Sequence, residues 1–263
     1  GVNASPVCSS IYYSRNGKQP TDFCTSMTSH IRLGLETSFA DRPFSGIGTY
    51  LHGLQSALAA EPGIDLIPIH PAAASPIARL GTRIDRFSWE TWRAGFAAQT
   101  AQVDLLHMPL MAVPYAAGCP VVATVHDVIP FVMPEYRQSR AMRVNLAVAR
   151  HRIRHAAAIL APSHHAAADI TTVLGIPADR IHVTQEAVSA AYQPGTAGRL
   201  PADVASRFGI DGRYIFNIGG FDVRKNLPLL IEAFATVQSE LAEPISLVIA
   251  GAPHTDNQTV YPP

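Results

Sequence analysis

No charge of one sign dominates this sequence: Lys and Arg together number 20, Asp and Glu together 20, and the formal net charge is +0. No net field therefore recruits nucleic acid or an anionic membrane surface. Cysteine is scarce. Cys8, Cys24 and Cys119 are odd in number and have no metal-site spacing, which argues against a disulfide framework and against a cysteine metal centre. Thiols left free fit a reducing compartment. No apolar run approaches the length of a membrane span. What is present is length: 263 residues allow one large or two medium domains with an ample core. The composition reads as a cytoplasmic α/β protein.

Residues 1–30 are rich in Ser, Thr, Asn and Gly, show no sustained period and carry no apolar signal core. They read as a disordered or non-native leader. Order begins with Ile31–Glu36, a first strand, which runs into a loop over 41–50 carrying Gly46-Ile47-Gly48. A helix is expected from about Thr49 to Ala60, with Leu51, Leu54, Ala57 and Leu58 on one face. A lone G-x-G more often marks a turn that needs glycine than a ligand site. Here it joins a first strand to a first helix, where an α/β fold brings backbone close to a ligand. Ile64–Ile69 is a second strand, Pro71–Arg86 reads as irregular, and Phe87–Gln99 as a helix whose Trp89 and Trp92 belong to the core.

Val103–His107 reads as a strand, as does Val121–Val125, whose unbroken apolar run is the doubly buried kind found in parallel sheets. The latter ends in His126-Asp127. A lone His at a strand end is usually a structural hydrogen-bonder, but open α/β sheets hold ligands at this edge. Arg140–Ala157 is a long helix with Val144, Ala147, Val148 and Ile153 as its apolar stripe and arginines on a solvated face. Ala158–Ala161 is a strand. Ser163 caps a helix that Gly175 stops, and Ile181–Thr184 is the next strand. Residues 190–212, rich in Pro, Gly and Ala with a short helix at Ala202–Phe208, read as a passage between domains.

Arg213–Gly251 is the most informative stretch. Tyr214–Ile218 reads as a buried strand closed by Gly219-Gly220, whose backbone freedom suits a tight strand-to-helix turn. Leu229, Leu230, Ala233, Phe234 and Val237 then recur at helical spacing, and Ser246–Ala250 is a second strand, making a βαβ unit. Arg224 and Lys225 stand just before the helix that opens at Asn226. Basic pairs on loops are usually solvated surface. Two cations at a helix N-terminus beside the carboxyl end of a parallel strand also make a phosphate site.

The order of these parts resembles the nucleotide-binding domain of retaining GT-B glycosyltransferases of family four. There the pattern is hydrophobic-Gly-x-x-x-x-Arg-Lys-Gly/Asn-hydrophobic, matched by Gly219, Arg224, Lys225 and Asn226. Gly220 stands where some members carry Arg, a departure that bears on substrate. Ser45, Gly46, Ile47, Gly48 and Tyr50 resemble the family's SGIGRY-like loop, and Thr124–Pro130 resembles TVHDLIP, extended by Pro134-Glu135-Tyr136. His107 fits a strand-ending DLLH position, while Ala187 stands where the family more often has Gly.

The resemblance implies one complete Rossmann-like acceptor-side domain over 31–189, a connection over 190–212, and an incomplete nucleotide-sugar-binding domain over 213–263. It implies a catalytic role for His126 against the donor sugar, and diphosphate contacts from Arg224, Lys225, Gly219 and Gly220. Ser45, Gly46, Gly48 and Tyr50 become a cleft loop, and His107, Asp127 and Glu186 supporting residues. It implies no metal and no cofactor. The donor is GDP-mannose or a UDP-sugar, and the acceptor is a glycan or lipid-linked sugar. The location is cytoplasmic, with peripheral contact allowed at the inner face of a membrane and no nucleic-acid partner. The family's late acidic E-x7-E segment has no counterpart after Gly251, so the chain alone is expected to be inactive. That leaves a non-catalytic nucleotide-binding or scaffold fragment as the alternative. A nucleotide-dependent oxidoreductase is disfavoured, because neither glycine loop gives G-x-G-x-x-G with a ribose-binding acid at the usual distance.

Overall fold

The computed structural model describes residues 30–41, 45–71, 82–189, 192–193, 200–210 and 212–251. The expected leader up to residue 29, the tail beyond Gly251, parts of the Pro71–Arg86 and 190–212 stretches, and Cys8 and Cys24 lie outside them.

Strands β1 (Ile31–Glu36), β2 (Ile64–Ile69), β3 (Leu105–Met108), β4 (Val121–Thr124), β5 (Ala158–Ala161) and β6 (Ile181–Val183) form one sheet in the order β2-β1-β3-β4-β5-β6. Every neighbouring pair is parallel. The expected α/β class with a Rossmann-like parallel sheet is therefore the observed one. The strands are short apolar runs because helices cover both faces, leaving no solvent side to select alternation. Leu35, Leu106, Met108, Ala123 and Ile159 are fully buried at its centre. Burial of each large aliphatic side chain here contributes about 1.5–3 kcal/mol.

The helices are α1 (Gly46–Ala59), α2 (Thr82–Ser88), α3 (Ala94–Thr100), α4 (Ile129–Val132), α5 (Arg140–Ile153), α6 (His164–Asp169) and α7 (Ala202–Phe208). Helix α2 continues through a π-helical turn, Trp89–Arg93, into α3. Thr82–Arg86 is thus helical where the sequence reads as irregular. Trp89 is core, but Trp92 is 47% exposed and stacks on exposed Tyr115. Helix α5 also departs from expectation: Val144 and Ala147 face outward, and Leu146 and Ile153 are the buried pair. Seven residues make nearly two turns, so Leu146 and Ile153 share a face that Val144, some 200° away by helical geometry, cannot join. Ser163 caps α6 as expected, its hydroxyl accepting from the Ala166 amide at 3.1 Å. A π-helical turn over Ile170–Leu174 follows, and Gly175 ends it in the left-handed region at φ 70.

A separate two-stranded parallel sheet holds β7 (Arg213–Ile218) and β8 (Ile245–Ala250), joined through α8 (Leu227–Glu240). The expected βαβ unit is present, but β7 is not a buried strand. Ile215, Phe216 and Ile218 are 43%, 54% and 71% exposed, and α8 buries no residue fully. Successive strand residues point to opposite faces, so exposure of both Ile215 and Phe216 means neither face is fully covered by the described residues.

Candidate functional site

The carboxyl ends of β3 and β4 and the start of α1 meet in one hydrogen-bonded cluster. Ser45 caps α1, its hydroxyl accepting from the Gly48 amide at 3.0 Å. Gly46 and Gly48 therefore lie in the first helical turn and not in a loop before it. The capping hydroxyl satisfies an amide that would otherwise be orphaned, and this lets the helix begin earlier than its apolar face suggests. One turn on, the Tyr50 hydroxyl lies 3.1 Å from Thr124 Oγ1, and His107 Nε2 lies 2.8 Å from the same oxygen. His107 and Thr124 sit on neighbouring strands whose register pairs His107 with Val122.

His107 is buried, and burial followed by the neighbouring His126 lowers its pKa to about 4. It is neutral near pH 7. Burial also raises the Tyr50 phenol, which stays protonated beside Thr124. His126, past the end of β4, lies edge-on to the Tyr50 ring with centroids 4.9 Å apart. Its Nε2 faces the Pro109 carbonyl at 3.2 Å and its Nδ1 faces Glu186 Oε1 at 3.0 Å. A carbonyl and a carboxylate only accept, so whichever ring nitrogen carries a proton has an acceptor in reach. Carboxylate and carbonyl together fix the ring plane. Asp127 points elsewhere: its Oδ1 accepts from the Ile129 amide at 3.0 Å and shapes the turn into α4.

The second group of candidate residues lies past β7. Gly219 has φ 146, open to glycine but strained for other residues, and its amide donates to the Ala250 carbonyl at 3.0 Å. A Cβ on Gly219 would lie 3.5 Å from Lys225 Cε, and one on Gly251 would collide with the Gly219 carbonyl. The loops after β7 and β8 thus pack backbone to backbone, with the Lys225 chain laid over Gly219. Gly220 is half-buried beside it. Arg224 and Lys225 belong to a 3₁₀ turn, Val223–Lys225, which leads through Asn226 (φ 46) into α8. Asp222 caps that turn, accepting from the Arg224 amide at 3.0 Å and from Arg224 Nε at 3.2 Å.

Tyr50, His107, His126 and Glu186 are brought together, and Gly219, Arg224 and Lys225 form a second group. Among the described residues, hydrogen bonding joins the two stretches where Tyr136 donates to Asp222, the carboxylate that also holds Arg224. Sequence reasoning passed over Thr124, the Pro109 carbonyl and Asp222. Thr124 and Pro109 carry no signal of their own, since their role comes from strand register. It also passed over Glu36, whose signal was visible: a carboxylate ending an apolar strand. Glu36 is fully buried at the carboxyl end of β1, and its Oε1 accepts from Trp89 Nε1 and the Ser38 amide, both at 2.9 Å. Burial pushes its pKa up, and Oε2 has no hydrogen-bond partner. Among the described residues, no three His, Cys, Asp or Glu side chains converge as a metal site, and no helix is long and apolar enough to cross a membrane.

Residues 44–191 match the model of Glycosyltransferase Family 4. That segment covers more than half of the chain and contains the whole His126 cluster. The chain belongs to glycosyltransferase family 4. It is 29% identical over 131 residues to the O-antigen chain mannosyltransferase B of Escherichia coli, a match covering 49% of this chain and 34% of that protein. The match thus spans about a third of that relative's length. Among solved structures, S. aureus MnaA with UDP superposes with a TM-score of 0.52 at 15% identity, over 87% of this chain and 63% of that one. Anabaena HepE with UDP and glucose gives 0.48 at 15% identity, over 83% and 60%. The likeness to MnaA bears on the fold alone, the parallel α/β sheet described above.

Proposed function

We propose that this family 4 chain takes part in transferring a hexosyl group, mannosyl by preference, from a nucleoside-diphosphate sugar to a glycan or lipid-linked acceptor with retention of configuration. In this reading residues 31–189 form the acceptor-side domain, 190–212 the connection, and 213–263 the opening of the donor domain. The observation that carries the proposal is the imidazole of His126, held between Glu186 and the Pro109 carbonyl at the carboxyl end of β4, inside the segment that matches the family. A ring with acceptors at both nitrogens presents an oriented face to a sugar bound above the sheet edge. Tyr50 and the neutral His107 support it through Thr124.

Transfer of a glycosyl group places positive charge on the anomeric carbon and negative charge on the departing diphosphate. In this reading Lys225 and Arg224, at the turn before α8, stabilise that leaving group, with the helix N-terminus adding its partial positive charge. The relative's name, a mannosyltransferase, favours a mannosyl donor such as GDP-mannose. The UDP in the MnaA structure keeps a uridine donor in the comparison. Calorimetric titration with GDP and UDP, on the chain and on Lys225→Ala, tests the reading. The expected result is diphosphate binding that weakens about tenfold in the variant, with guanosine or uridine much less affected. Unchanged diphosphate affinity removes the phosphate role.

A further inference from the structure

Two distant stretches of the chain meet at one carboxylate. Asp222 is 7% exposed, and its Oδ2 accepts the Tyr136 hydroxyl at 2.5 Å and Arg224 Nε at 3.2 Å, while Oδ1 accepts the Arg224 amide at 3.0 Å. Tyr136 stands on the short turn Pro134–Arg137. That turn closes the segment which leaves β4, passes His126 and bends at Asp127. Asp222 opens the turn that carries Arg224 and Lys225. The contact therefore runs from the His126 segment directly into the candidate phosphate turn.

The charge states suit a lasting contact. Burial, then the Asp222 carboxylate, raise the Tyr136 phenol far above its ordinary value, so it remains a donor. Burial works to raise Asp222, but the bonds from Tyr136 and Arg224 outweigh it and the carboxylate stays ionised. Three donors on one nearly buried carboxylate leave the Arg224 guanidinium held by its Nε edge.

We propose that Tyr136 is a positioning residue: through Asp222 it fastens the Arg224–Lys225 turn to the His126 segment and orients Arg224 toward a diphosphate. This rests on the phosphate reading of that turn. It adds that the affinity of the turn depends on a hydroxyl that is itself no part of the phosphate site.

The test uses inorganic pyrophosphate as the probe, titrated calorimetrically into the whole chain and into Tyr136→Phe, Asp222→Asn, the double variant and Lys225→Ala. Tyr136→Phe removes one hydroxyl and keeps the ring, and is expected to weaken pyrophosphate binding roughly three- to tenfold. Asp222→Asn should act in the same direction. The double variant should bind no more weakly than the worse single one, because both changes break one contact. Unchanged affinity in Tyr136→Phe, with Lys225→Ala weakened, overturns the positioning role and leaves the phosphate reading intact. Unchanged affinity in Lys225→Ala as well, or no pyrophosphate binding by the parent chain, overturns both. Fully additive losses in the double variant also overturn the proposal. Should Tyr136→Phe not fold, the comparison of Asp222→Asn with Lys225→Ala decides in the same way.

Discussion

His126 and His107 stand two strand-ends apart in sequence logic but face opposite demands. His126 is half-buried between two acceptors, whereas His107 is enclosed and neutral. For His107 the folded-state pKa, about 4, lies below the ordinary value of 6.5. The unfolded chain therefore binds the proton first as pH falls, and stability contributed above pH 6.5 is lost between there and pH 4. The loss should be on the order of a few kcal/mol. Urea midpoints measured from pH 7 to pH 4 should drop, and His107→Gln should flatten that slope. Glu36 has the opposite sign. Its pKa is raised by burial, so the folded chain holds the proton more tightly than the unfolded one and stability falls as pH rises above 4.5. Glu36→Gln should then gain melting temperature relative to the parent as pH rises from 4.5 to 8. For His126, turnover by an active full-length enzyme should fall by orders of magnitude in His126→Ala, with melting temperature within a few degrees. A large stability loss with normal specific activity would mark a purely structural histidine.

At the level of elements, the start of α1 and the turn before α8 carry the local tests. Ser45 accepts from the Gly48 amide, so Ser45→Ala should lower stability by about 1 kcal/mol in a urea titration. Because that cap sets where α1 begins, and with it Tyr50, the variant should also loosen the Tyr50–Thr124 bond. The turn after β7 depends on Gly219. Gly219→Ala demands φ 146 from a residue that resists it, in ordinary contact with the Lys225 chain. Pyrophosphate titration of Gly219→Ala should show weaker binding than the parent, and an unaltered affinity would separate the glycine from the site. Helix α5 gives a lesson in phase: its apolar residues were visible in the sequence, but which of them face inward was not. The sheet chose Leu146 and Ile153, leaving Val144 and Met142 in solvent.

Across the whole molecule, order is unevenly distributed. The six-stranded sheet encloses fully buried Leu35, Leu106 and Ile159, while the described residues around β7, β8 and α8 leave large apolar side chains open. Local opening follows buried apolar contact, so amides of β1, β3, β4 and β5 should exchange with solvent slowest, and those of β7 and β8 sooner. Hydrogen-exchange mass spectrometry reads this directly. Equal protection of both sheets would mean that the faces of β7 and β8 are covered in solution. The Tyr136–Asp222 bond lies between these regions.

Much of this was legible in the sequence because it depends on local chemistry. The strands β1, β2 and β5 and helix α7 follow from short apolar or helical runs bounded by breakers, and their limits agree with the structure. Parallel pairing followed from strands with no polar side. The Gly219–Asn226 pattern and the Thr124–Pro130 segment pointed to the family from residue order alone. Tertiary structure decided the rest, because it concerns which distant groups share a few ångströms. Register between β3 and β4 pairs His107 with Val122 and so leaves its ring in reach of Thr124, two residues on, and the path after β6 brings Glu186 to His126 across 60 residues of sequence. Chain folding brings Tyr136 to Asp222, 86 residues apart. A hydrogen bond reaches about 3 Å, and no periodicity in the sequence encodes which residues end up within that reach.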